Sequence, residues 1–180
     1  MRLLLHSCCG PCTTYPFHFF RSQGFSVDGL YFNPNIYPAE EEEKRWHTYA
    51  GWAEENNLSA RRILVPHQEW LAAVSEDLEK PRRCEICYYI RLKKAASLAK
   101  DEGYDAFSTT LLVSPYQYHE GILNTMERVS GEYGIPFVYR DLRRGYFRSR
   151  QMARGNHMYM QKYCGCEFSM GGDQLGARLR

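Results

Sequence analysis

Apolar positions along this chain fall into two rhythms. Short runs at Leu3–His6, Val27–Phe32, Arg62–Val65, Ala106–Thr109 and Phe137–Tyr139 predict strands. Between them lie the longer, mixed or helical segments Pro38–Asn56, His67–Leu78, Cys84–Glu102 and Tyr116–Tyr133. In Cys84–Glu102, Ile86, Ile90, Leu92, Ala95, Ala96, Leu98 and Ala99 approximate helical spacing. Glu40 and Lys44 form an acid–base pair one turn apart in the helix-forming order, so the surrounding acidic run reads as a solvated first turn. Strand–helix alternation predicts a single α/β domain over residues 1–180 with a mainly parallel, doubly wound sheet.

That reading places Cys8, Cys9 and Cys12 immediately after the first strand, at the carboxyl edge where open α/β sheets bind ligands. A nucleotide-binding loop would carry a glycine-rich phosphate cradle there. This loop instead has one glycine, a proline and three thiols, and no G-x-G-x-x-G or G-K-[ST] occurs in the chain. It suits a soft metal better than a phosphate. The chain has 180 residues, no apolar run long enough to span a membrane, and a start, Met1–His6, too short for a secretory signal. A cytoplasmic protein is expected. In a reducing compartment seven cysteines point to ligands or redox groups rather than to a disulfide framework.

The cysteines form three groups. Cys9-Gly10-Pro11-Cys12 has the spacing of a thioredoxin-type dithiol, but a thioredoxin fold places a strand and a helix before its motif, and such chemistry has no use for Cys8. Cys84 and Cys87 form a C-x-x-C at a predicted helix start, where two thiols one turn apart can clamp one metal or cluster. With Cys8 and Cys9 they make a four-thiolate set. Structural zinc and an iron–sulfur cluster both satisfy that set, although adjacent thiols reach two irons more easily than one small ion. Cys164 and Cys166 flank Gly165 in a C-x-C that can ligate metal or close a small, strained and easily reduced disulfide.

Net charge is only +2, so nucleic-acid binding requires a local patch. The stretch 139–163 supplies one: Arg140, Arg143, Arg144 and Arg148 stand among Tyr146, Phe147, Tyr159 and Tyr163. Arginines bind phosphates and aromatics stack on unpaired bases. The alternative is a solvated helix with aromatic anchors. Tyr116 and His119, beside the Ser114-Pro115 helix-start signal, are candidate proton donors.

Five motifs in order, H-S-C-C-G-P-C, Y-F-N-P-N-I, R-C-E-I-C-Y, S-T-T-L-L-V-S-P-Y-Q and Q-K-Y-C-G-C, resemble the cobalamin-independent epoxyqueuosine reductase family, QueH. The resemblance implies a fold like the adenine nucleotide alpha-hydrolase (HUP) proteins. It implies reduction of epoxyqueuosine to queuosine at the wobble position of tRNA, the last step of queuosine biosynthesis. It assigns Cys8, Cys9, Cys84 and Cys87 to a 4Fe-4S cluster and Cys164 and Cys166 to a redox-active pair. Cys12 is then a ligand of a second, mononuclear iron or a helix-start residue. The implied partners are the tRNA and an external electron donor, with no membrane. A zinc-stabilised tRNA-binding accessory protein is the alternative.

Overall fold

The computed structural model describes residues 1–171. Strands β1 (Arg2–His6), β2 (Ser26–Tyr31), β3 (Ala60–Arg62) and β4 (Ala106–Thr109) form one sheet in the order β3-β2-β1-β4. Every pairing is parallel. The expected doubly wound α/β sheet is therefore present, with two strands altered. β3 lies two residues earlier than the apolar run suggests, because Gly29 to Tyr31 pair with Ala60 to Arg62. The run at Phe137 makes only a single bridge to Phe107, its backbone bonds coming from Val138 N to Phe107 O and from Phe107 N to Pro136 O.

Burial on both faces explains why β1 reads as an unbroken Leu3-Leu4-Leu5 rather than an alternation. Successive strand side chains point to opposite faces. Leu3, Leu5, Val27 and Tyr31 pack with Phe17 and Phe20 of α1 (Gly10–Ser22) and with Tyr49 and Trp52 of α2 (Ala39–Glu55). Leu4, Leu30 and Phe107 pack with Leu92, Ala95 and Ala96 of α4 (Arg82–Asp101) and with Ile122, Met126 and Val129 of α5 (His119–Tyr133). Each fully buried Leu or Phe contributes ~1.5–3 kcal/mol, so the two layers hold the sheet rigid. α3 (His67–Val74) lies against α4.

α5 begins at His119, not at the Ser114-Pro115 signal, because Thr110–Val113 form a 3-10 turn and Tyr118 remains extended. The basic stretch contributes α6 (Tyr146–Gly155). Ser149 fastens α6 to α1, its Oγ donating to Pro11 O at 2.6 Å and lying 3.0 Å from Thr14 Oγ1. No helix among the described residues is long and apolar enough to cross a membrane. The last part of the expected basic region 139–180 lies outside the described residues.

The chain proceeds from β1 outward to β2 and β3, then returns to add β4 on the other side of β1. Such a reversal opens a crevice at the carboxyl ends of the central strands.

Candidate active site

The crevice is filled with sulfur. Cys9 caps α1: its backbone is extended and its Sγ accepts from Cys12 N at 3.3 Å, a role usually taken by a serine or aspartate oxygen. Cys8 is fixed by Thr110 after β4, whose Oγ1 accepts from Cys8 N at 3.0 Å and lies 3.2 Å from Cys8 Sγ. The sulfurs of Cys8, Cys9 and Cys12 all lie within 4.8 Å of one another. Gln161 Nε2 donates to Cys9 Sγ at 2.7 Å. Three thiols this close cannot all ionise. Hydrogen bonds from Cys12 and Cys9, with Arg91 and Thr110 assisting, drive Cys8 well below the ordinary thiol range. Burial first, and then the neighbouring Cys8 sulfur, push Cys9 up, against hydrogen bonds from Cys12 that lower it. Cys12 is pushed well up because its proton is shared with Cys8 and Cys9.

Cys84 and Cys87 stand one turn apart in the opening turns of α4. Burial pushes Cys84 up to about 12 and Cys87 up to about 11, with Cys164 close enough to add to both. One turn further, Arg91 is 2% exposed. Its Nη2 donates to Asn33 Oδ1 at 2.7 Å, and Asn33 Nδ2 donates to Ser7 O at 2.9 Å. This chain of contacts holds the start of α4 against the carboxyl ends of β1 and β2. Arg91 Nη1 faces Cys87 Sγ at 3.9 Å and Nε has no partner. Among the described residues no carboxylate pairs with Arg91. A buried guanidinium requires a counter-charge. The ionisable groups acting on Arg91 are the thiols of Cys87, Cys8 and Cys164, and of these Cys8 is the one held well down.

The third group is pinned by Arg45, which is 2% exposed. Its Nε pairs with Glu41 at 2.8 Å, Nη1 donates to Cys164 O at 3.0 Å and Nη2 to Tyr163 O at 3.1 Å. Tyr37 N donates to Gly165 O at 2.9 Å. Gly165 adopts φ +136°, and a Cβ there would lie 2.9 Å from Asn35 Nδ2. Glycine is required at this close approach. The turn gives its two thiols different surroundings. Cys164 opens into a cavity and accepts from Gln117 Nε2 at 3.5 Å, Gln117 being oriented by Tyr88 Oη at 2.8 Å from its Oε1. Cys166 is buried with Cys87, Trp70 and Val74, and that burial raises its thiol.

The cavity holds about 630 Å³ and reaches Cys8, Cys12 and Cys164. Arg45, Arg91, Arg150, Arg154 and Lys162 line it, and among the described residues no aspartate or glutamate does. A family model described as epoxyqueuosine reductase QueH matches residues 3–171. The chain belongs to the QueH family. QueH of Dehalococcoides mccartyi is 36% identical over 169 residues, covering 93% of this chain and 92% of its own. QueH of Thermotoga maritima is 34% identical over 177 residues, covering 93% and 90%. QueH of Staphylococcus epidermidis is 30% identical over 182 residues, covering 93% and 76%. Among solved structures, a predicted subunit of tRNA methyltransferase from Methanocaldococcus jannaschii aligns with a TM-score of 0.55 at 12% identity, over 85% of this chain and 76% of that one. That likeness concerns the fold alone.

Within this QueH fold the residues singled out from sequence divide. Cys8, Cys12, Cys164 and Tyr116 share the cavity. Cys9 lies beneath it, against Gln161, and Cys84 and Cys87 lie beside Arg91 and Cys164. His119 is turned away: its Nε2 lies 2.9 Å from Tyr139 Oη and its Nδ1 is buried without a partner. Arg140, Arg143, Arg144 and Arg148 do not line the cavity, and Asp141 engages Arg143 at 2.6 and 2.8 Å. Sequence reasoning missed Arg45, Arg91, Gln117 and Gln161. A signal existed for Arg91, which stands four residues after Cys87 and so on the same helix face. Only Glu41, one turn before it, marks Arg45 locally, and the two carbonyls it holds are more than a hundred residues away.

Proposed function

We infer that this protein reduces epoxyqueuosine in tRNA to queuosine, the last step of queuosine biosynthesis. The carrying observation is a cavity with thiols at its floor and, among the described residues, cations but no carboxylates on its walls, in a chain of the QueH family. Opening an epoxide to an alkene consumes two electrons and two protons and releases water. Oxidation of the Cys164 and Cys166 thiols to a disulfide releases two electrons and two protons, which balances that demand, and an external reductant then restores the dithiol. Tyr116 holds a proton at its Oη on the cavity wall. Arg150, Arg154 and Lys162 hold RNA phosphates and orient the nucleoside.

The residues fit a metal centre. The close trio Cys8, Cys9 and Cys12 can bind a metal, and the unpartnered Nε of buried Arg91 fits a site whose bound state is anionic. Cys8, Cys9, Cys84 and Cys87 would hold the 4Fe-4S cluster. Cys12 is the thiol left for a second, mononuclear iron beside the first pair. When bound, these centres would supply single electrons and an iron able to polarise the epoxide oxygen. Gln161 and Thr110 orient the sulfurs of Cys9 and Cys8.

The test is anaerobic purification with measurement of iron, acid-labile sulfide and turnover of epoxyqueuosine-containing tRNA, the product nucleoside being read by the loss of one oxygen. Cys84→Ser and Cys87→Ser should lose the visible absorption and turnover together. Cys12→Ser should keep the four-iron cluster. Cys164→Ser should keep cluster and RNA binding and lose multiple turnover. Zinc without sulfide, and no turnover, would instead establish the accessory-protein reading.

A further inference from the structure

α6 carries Phe147, Arg150 and Arg154 at helical spacings of three and four, so they share one face, and all three line the cavity. Phe147 is 81% exposed. A single exposed phenylalanine is ordinary on a protein surface. This one is distinguished by its surroundings. Its ring meets Tyr146 edge-on at 5.7 Å, and Tyr146 is in turn met by Tyr116 at 5.6 Å and capped by the Arg150 guanidinium at 5.7 Å. The phenyl ring is therefore backed by a fixed aromatic while most of its own surface remains in water. The second large cavity, about 550 Å³ beside the exposed Tyr37 and Leu64, offers aromatic surface too. Its one arginine or lysine among the described residues, Arg62, is already paired with Glu42 and Glu43 on the same walls, which leaves no cation there for a phosphate chain. Exposed aromatic and unopposed cations coincide at α6.

The cavity floor reaches sulfur only at Cys8, Cys12 and Cys164, below these walls. A modified base must leave its stack to get there, and its departure uncovers a face of each neighbouring base. Covering such a face with an aromatic ring recovers much of the lost stacking, irrespective of base identity. We propose that Phe147, backed by Tyr146, is the platform on which the nucleobase flanking the modified one stacks, while Arg150 and Arg154 hold the adjoining phosphates. The proposal rests on the tRNA reading above and adds to it a residue and a contact. The occupant is a single-stranded RNA loop, because a duplex would keep its bases stacked and out of reach of the ring.

The experiment uses the full chain, purified anaerobically, and an anticodon stem-loop RNA carrying epoxyqueuosine. 2-Aminopurine is placed on one or the other side of the modified nucleoside. Wild-type protein should change its fluorescence at one flank. Phe147→Ala should abolish that change and weaken binding by about five- to a hundredfold, the range of base–aromatic stacking. Phe147→Trp should retain both. An abasic site at the same flank should weaken wild-type binding comparably and add nothing further to Phe147→Ala. Arg150→Ala should weaken binding and leave the fluorescence change at saturation. Unchanged affinity in Phe147→Ala, additive losses with the abasic RNA, or no fluorescence change at either flank each overturns the proposal. So does a shift of Phe147→Ala from dimer to monomer with RNA affinity unchanged, which would assign the ring to an interface between copies. Turnover measured in the same samples keeps the two readings apart. RNA that is bound and stacked but not reduced refutes the reductase and leaves the platform standing.

Discussion

Arg45 offers the sharpest test of how the C-terminal cysteine turn is held. It contributes an ion pair to Glu41 and two charge-assisted hydrogen bonds to the carbonyls of Tyr163 and Cys164. Its guanidinium also lies 5.0 Å from the Tyr163 ring. Arg45→Met keeps the length of the stem and removes all of these. Hydrogen bonds to charged groups contribute ~1.5–3 kcal/mol each, so simple addition would reach ~9 kcal/mol. That sum is too high, because part-buried carbonyls can regain water and Glu41 keeps the Tyr159 hydroxyl at 2.8 Å. Removing one partner of a buried pair costs ~3–5 kcal/mol, and the expected loss lies in that range. Denaturant unfolding under anaerobic conditions measures it. Alkylation of Cys164 in native buffer should quicken by more than the unfolded population accounts for, since the turn loses two of its anchors. Adding Glu41→Gln should restore part of the stability by discharging the stranded carboxylate. A loss below ~0.5 kcal/mol, within the noise of surface substitutions, with unchanged alkylation would refute the claim that Arg45 holds the turn.

Three further outcomes are expected. Alanine at Arg150 or Arg154 should each lower the slope of log affinity for tRNA against log salt by about 0.7, the value per contact on single strands, whereas Arg143→Ala should change it little because Asp141 already engages that side chain; equal slopes for all three would contradict the placement of the cationic wall. Gly165→Ala should destabilise by ~1–3 kcal/mol, since φ +136° strains any side chain and the new methyl meets Asn35 and Ile36, and a change near zero in denaturant unfolding would show the turn to be slack. Asp141 is held down to about 2 by Arg143, so its contribution is present above the usual carboxylate range and lost as pH falls from about 4 to 2; both groups are well exposed, which limits it to under ~1 kcal/mol, and acid titration of Asp141→Asn should lack that component.

The strands and most helices were legible because their signals are local. Leu3-Leu4-Leu5 can be buried on both faces only as a central parallel strand, and the spacing of Leu92, Ala95, Ala96 and Ala99 suits only a helix. The C-terminal limit of α3 and the start of α5 were misread, as was β3, because their ends depend on pairing and turn geometry rather than on residue type. α6 escaped assignment because its buried face consists of Ser149 and Ala153, too small to stand out in an apolar pattern.

The cysteines show the same division. Their order and spacing placed Cys8 and Cys9 after β1 and Cys84 and Cys87 at the start of α4, since a loop's place in an α/β chain follows from the strand before it and the helix after it. The sequence by itself thereby determined which thiol-bearing segments stand at this edge of the fold. Only the tertiary structure decided what surrounds those thiols. It set Arg91 against Asn33 and the Cys87 sulfur with no carboxylate beside it among the described residues, brought Gln161 to Cys9 and Gln117 to Cys164, turned His119 away, and chose Arg150 and Arg154 over Arg143 for the cavity wall. The contacts of Gln161 with Cys9, Gln117 with Cys164 and Arg91 with Asn33 join residues distant in sequence, and a side chain's partner across such a distance is fixed by packing, which no short stretch of sequence encodes.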